Sequence, residues 1–153
     1  MIFMVYMRKQ HLAFISKPSN FDFPICGPFI HKLKYLAINR ESPMKALRTL
    51  NVASGYISSG ELSVGIFPEG TRSKTGELQK FHDGVFVVAK DTHCPIVVTT
   101  LRNTESVRKN FPFKRTVVEL RVVSVIEPQE FEGLRTAAIS NNVYEIMSKD
   151  LSE

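Results

Sequence analysis

Short apolar runs and helix-spaced apolar positions alternate along this chain, the pattern of an α/β domain. Leu12-Ala13-Phe14-Ile15 is continuously apolar and predicts a buried strand. Phe21 to Leu33 reads as a short helix that begins before Pro24, and Tyr35-Leu36-Ala37-Ile38 as a second strand closing on Asn39-Arg40. A longer helix follows. Ser42 can accept at the N-cap, Pro43 suits the first helical position, and Gly60 can end it. Met44, Leu47, Leu50, Ala53 and Ile57 keep one helical face. Leu62-Ser63-Val64-Gly65-Ile66 predicts a third strand, running to Phe67, with a polar loop after it. Lys74 to Glu77 is a turn, and Asp83 to Asp91 a helix with Val85, Val88 and Ala89 inward. Pro95 to Leu101 is nearly all apolar, as in a central strand. Thr116 to Ile126 sets Val118, Leu120 and Val122 against Glu119, Arg121 and Val123, a strand with one wetter face. Thr136 to Leu151 is an amphipathic helix striped by Ile139, Val143, Ile146 and Met147. Together these elements predict a mixed, largely parallel β-sheet flanked by helices.

The 153 residues suit one domain, 1–153, with a sizeable core. Apolar content of 43% and charged content of 23% are ordinary for a globular protein. The net charge of +5 favours anionic partners: phosphorylated substrates, acidic lipid surfaces or nucleic acid. The two cysteines, Cys26 and Cys94, lie outside any metal-type spacing and read as reduced, buried thiols of a cytoplasmic protein, with no metal implied. No apolar run approaches the roughly 20 residues that span a bilayer. Met1 to Met7 is too short for that and lacks the charged start and cleavage site of a signal peptide. It resembles the middle of an element more than the start of a protein.

The densest chemistry is Phe67-Pro68-Glu69-Gly70-Thr71-Arg72-Ser73. Gly70 allows backbone conformations closed to other residues and close approach to a ligand. Arg72 offers a planar fork of donors for phosphate or carboxylate. A loop of this kind leaving a strand is a common way to hold an anion at the C-terminal edge of a sheet.

This run resembles the phosphate-acceptor motif of the glycerolipid acyltransferases, the family of the lysophosphatidic acid acyltransferases. The resemblance extends along most of the chain. Lys17, Pro24 and Gly27, followed by Tyr35 to Arg40, is similar to the family's second block, with Asn39 where that block usually has an aspartate. Phe81, Gly84 and Cys94-Pro95-Ile96-Val97-Val98 are similar to later blocks. The resemblance implies the glycerol-3-phosphate acyltransferase-like fold. It also implies transfer of an acyl group from acyl-CoA or acyl-ACP to 1-acyl-sn-glycerol-3-phosphate, without a cofactor, at the inner membrane face. Arg72 would then bind the phosphate, Glu69 the glycerol hydroxyls, and Gly70 and Thr71 would offer N–H groups and a hydroxyl. Lys17 and Arg40 would add positive charge.

The family's catalytic block, a histidine with an aspartate five positions later, has no match. The residues five beyond His11, His31, His82 and His93 are Ser16, Leu36, Val87 and Val98. Lys17 to Asp22 has the offset but a lysine at its head. The expectation is therefore a chain that lacks the catalytic block, which would lie before Met1, and that is inactive alone. A non-catalytic module binding phospholipid headgroups is the alternative.

Arg108 to Arg115 interleaves four cations with Phe111 and Phe113. Such a loop could stack single-stranded bases or dip rings into an acidic lipid interface. The glycerolipid signature favours the lipid surface over nucleic acid.

Overall fold

The computed structural model describes residues 11–71, 73, 77–110 and 112–153. Arg72, most of the expected Lys74 to Glu77 turn, and Phe111 lie outside the described residues. The chain forms two compact units, Met1–Phe67 and Pro68–Glu153.

In the first unit, β1 (His11–Ser16), β2 (Leu36–Ala37) and β3 (Leu62–Gly65) form a parallel sheet in the order β2-β1-β3. The central strand is apolar on both faces, and Leu12, Ala13, Phe14 and Ile15 are all buried. Phe14 lies opposite Gly65, and Ile15 opposite Leu36. The expected Phe21–Leu33 helix is shorter than its sequence suggests. Only Cys26–Lys32 (α1) is α-helical, preceded by a 3-10 turn at Pro18–Asn20. Pro24 disfavours helical backbone at Phe23, so the helix does not extend back to Phe21.

The long helix, α2 (Pro43–Ser58), starts as expected, with Ser42 Oγ accepting from the Lys45 N–H at 3.4 Å. Gly60 takes a φ of 70° just beyond its end. Leu50 and Ala53 are buried, but Met44 is 69% and Leu47 49% exposed. A helix of 16 residues is about 24 Å long. It outruns the four-residue β3 beside it, and among the described residues its first turns leave Met44 and Leu47 uncovered. The Thr49 hydroxyl ties α2 to the sheet by donating to the Ala37 carbonyl at 3.0 Å. Lys34 pairs with Glu61, whose hydrogen bond raises the lysine pKa, and this joins the segments entering β2 and β3.

In the second unit, β4 (Ile96–Arg102) and β5 (Glu119–Ile126) form an antiparallel pair. The strand pairings are thus mixed and largely parallel, as the sequence predicts. A 3-10 turn, Asp83–Phe86, leads into α3 (Val87–Thr92), dividing the single helix expected there. Two short helices absent from the sequence reading are α4 (Glu105–Asn110) and α5 (Pro128–Phe131). The last helix, α6 (Thr136–Ser152), buries Ile139 and Val143 against Phe81, Phe86, Val98, Ile126 and Phe131.

The β4–β5 ladder slips between Val98 and Thr99, leaving Val123 as an extra residue. No single wetter face results, because Val118 and Val122 are exposed along with Glu119 and Arg121. Arg121 also bonds Asp150 Oδ1 of α6 at 3.4 Å. Thr100, only 1% exposed, donates to Asp150 Oδ2 at 2.7 Å, and Arg102 bonds the Asp150 carbonyl. The Thr100 hydrogen bond, helped by Arg102 and Arg121, holds the Asp150 carboxyl below the usual aspartate pKa.

Candidate functional site

In an open sheet of parallel strands, ligands collect outside the carboxyl ends where the strand order reverses. For the order β2-β1-β3 the chain first steps from β1 to one side and then crosses to the other, so the reversal falls between β1 and β3. Lys17 is the first residue after β1 and is exposed. Its carbonyl accepts from the Asn20 N–H at 3.0 Å, and the Asn20 amide donates to Ser16 Oγ at 2.7 Å, which fixes the exit of the strand. On the other side of β1, the Ile38 N–H donates to the Ser16 carbonyl at 3.0 Å and carries the ladder one residue past β2. Asn39 and the exposed Arg40 leave the sheet directly afterwards.

Asn39 explains its own departure from the resembled pattern. Its Oδ1 accepts from the backbone N–H of Glu41 at 2.9 Å and of Ser42 at 3.2 Å. The position uses a side-chain oxygen acceptor, which aspartate and asparagine both provide.

The exit of β3 is braced by aromatic rings. Phe14 stacks on Phe67 with centroids 5.7 Å apart and tilts against Tyr35 at 5.6 Å. Gly65 makes this possible, because a Cβ there would collide with the Phe14 ring. Nothing in the sequence distinguishes that glycine from a flexible one.

The chain passes from Phe67 directly into the signature loop. Within the second unit both feet of that loop are fixed. The Pro68 carbonyl accepts from the His82 N–H at 2.9 Å, and Glu69 Oε2 accepts from the Gln79 N–H at 2.8 Å. Phe81, 5% exposed, anchors the returning segment in the core and meets Tyr144 edge-on at 5.2 Å. Gly70 has a φ of 66°, the conformation for which glycine suits the position. One Glu69 oxygen therefore serves the loop itself, and neither Gln79 nor that bond figures in the sequence reading. Arg72 lies outside the described residues, so the loop's cation is placed by sequence alone.

The histidines are occupied in other ways. His31 meets Phe21 edge-on at 5.1 Å, and His93 ends α3 at a φ of 47°. His82 is exposed beside the exposed Asp83. Among the described residues no histidine is hydrogen-bonded to an aspartate that would orient it as a base. Among the described residues no cluster of three His, Cys, Asp or Glu side chains could hold a metal. No described helix is long and apolar enough to cross a membrane.

These features define an α/β protein with a parallel three-stranded sheet in one unit and, at the start of the other, a glycine-bearing loop tied at both feet. The chain belongs to the Acyltransferase family, whose sequence model matches residues 1–102. It is 36% identical over 95 residues to a chloroplastic 1-acyl-sn-glycerol-3-phosphate acyltransferase of Brassica napus, covering 62% of this chain and 27% of that protein. It is 28% identical to the enzyme of that name from Limnanthes douglasii, over 78% of this chain and 43% of the relative. The chain spans less than half the length of these curated relatives. Its fold matches the crystal structure of the 1-acyl-sn-glycerophosphate acyltransferase PlsC of Thermotoga maritima. The TM-score is 0.71 at 22% identity, over 92% of this chain and 55% of that one.

Proposed function

We propose that this chain carries the acceptor-binding part of a 1-acyl-sn-glycerol-3-phosphate acyltransferase. The reaction moves a fatty acyl group from acyl-CoA or acyl-ACP to lysophosphatidic acid and yields phosphatidic acid. The observation that carries the reading is the Phe67–Ser73 signature, continuous in sequence with β3. Arg72 grips the phosphate as a charge-assisted fork. The Gly70 and Thr71 N–H groups and the Thr71 hydroxyl add donors, and Lys17 and Arg40 contribute charge from the strand exits. Glu69 has two tasks: one oxygen holds Gln79, and the carboxylate offers an acceptor to the glycerol hydroxyls.

The acceptor's hydroxyl oxygen attacks the thioester carbonyl, the C–S bond breaks, and the thiol leaves with the proton relayed from the hydroxyl. A neutral hydroxyl needs a base for this step, and a positioned one contributes about 10²–10⁴ in rate. Among the described residues no histidine is hydrogen-bonded to an acid that would hold it in that role. What its residues supply is orientation of the acceptor, the larger share of many such barriers. A lipid acceptor and a net charge of +5 support a cytoplasmic location against the inner membrane face.

Calorimetric titration tests the reading. Arg72→Ala should weaken lysophosphatidate binding about 10- to 100-fold, the worth of a charge-assisted hydrogen bond. Binding of the phosphate-free monoacylglycerol should not change. Equal losses for both ligands, or none for either, would overturn the assignment.

A further inference from the structure

We propose that the loop between α4 and β5 is a docking surface for anionic lipid bilayers, with Phe113 as the inserting side chain. Phe113 is 92% exposed, the most of any large apolar residue described. Lys109, Lys114 and Arg115 around it are exposed too.

The loop is built to present this tip. The Asn110 carbonyl accepts from the Lys114 N–H at 2.7 Å, and the Asn110 amide donates to Thr116 Oγ1 at 2.9 Å. Asn103, at a φ of 63°, donates its amide to the Val117 carbonyl at 2.7 Å. Two asparagines therefore close the base of the loop, and the ring is held outward by backbone geometry. A phenylalanine left in water forgoes the burial that favours its inward packing. Here it is fixed among cations, the arrangement that suits insertion at an acidic headgroup layer.

The lipid acceptor of the proposed function decides between the two macromolecules that could fit this chemistry, and the proposal rests on that reading. A single-strand platform would stack bases on such rings instead, and the oligonucleotide arm of the test separates the two. A bilayer needs only an apolar point within a ring of charge. The surface would suit an enzyme with a lipid acceptor, but its test uses no acceptor, so it can fail while the phosphate-loop reading stands.

The experiment is cosedimentation of the full chain with vesicles. Phosphatidylcholine alone is compared with phosphatidylcholine partly replaced by phosphatidylglycerol. Binding should need the anionic lipid and should fall as salt rises. Phe113→Ala should weaken it about tenfold. Lys114→Gln with Arg115→Gln should weaken it about 30-fold, near fivefold per charge. These exposed changes should leave the melting temperature unaltered, and Arg72→Ala should keep vesicle binding. Equal binding to neutral vesicles would overturn the proposal, as would full retention in the loop variants. So would tighter binding to a single-stranded oligonucleotide that is lost in Phe113→Ala.

Discussion

Three single residues, two at the exits of the parallel strands and one in the loop of the second unit, each carry a different physical message. Gly65 is a matter of space. Its absent side chain lets Phe14 lie against the backbone and stack on Phe67. Gly65→Ala should destabilise the chain by about 1–3 kcal/mol in urea unfolding, the usual cost of overpacking a fixed ring. Glu69 is a matter of acceptors. Glu69→Ala strands the Gln79 N–H and should cost about 1–3 kcal/mol in the same assay, while Glu69→Gln keeps an oxygen in place and should cost less. Asn39 replaces an acid without losing its acceptor. From sequence, the signature loop and the cations at the strand ends are legible because residue types such as Gly, Pro and Arg announce loops and anion sites. The partners of those residues are not, because a hydrogen bond across ten positions leaves no local pattern.

At the scale of elements, periodicity found the strands and the two long helices, and misjudged what faces them. The stripe on α2 includes Met44 and Leu47, yet a short sheet cannot cover them. On β5 the sequence alternates, yet Glu119, Arg121 and Val122 are all exposed, and Asp150 of α6 bonds both Thr100 and Arg121. The start of β5 at Glu119, later than the expected Thr116, follows from Asn103 and Asn110 claiming Val117 and Thr116. The α5 turn did have a signal. Glu127 and Glu130 form a capping box around Pro128, a four-residue pattern too short to register as a periodic element.

The Asp150 contacts give this scale its pH prediction. The carboxyl's folded pKa is depressed, so its contribution is fully present above the unfolded value, about 3.9, and is lost as pH falls through the lower folded value. Melting temperature followed downward from neutral pH should drop in that acid window. Asp150→Asn should melt lower at neutral pH and show a shallower acid decline. An unchanged acid limb in Asp150→Asn would remove the carboxyl from the account.

At the scale of the molecule, this is a family member in which, among the described residues, no histidine is hydrogen-bonded to an aspartate, and the proposed reading makes it an acceptor-binding part that does not turn over alone. Incubated with acyl-CoA and lysophosphatidate, the chain should bind the acceptor and release thiol no faster than buffer, followed with a thiol-reactive dye. Steady turnover would mean that one of its histidines acts as a base after all. Family and fold class were open to sequence reading because seven signature residues stand in a row and the apolar runs alternate in kind. The division into two compact units was not, because no linker of distinct composition marks the step from Phe67 to Pro68.

The central claim is that the turn beginning at Pro68 is where a phosphorylated glycerol is held. Amide NMR of the chain titrated with glycerol 3-phosphate tests it most directly. The account predicts saturable shifts largest at the Gly70 and Thr71 amides and the Arg72 Nε–H, with none on titration with glycerol. Saturation that leaves those three signals still, or an equal response to glycerol, would contradict it.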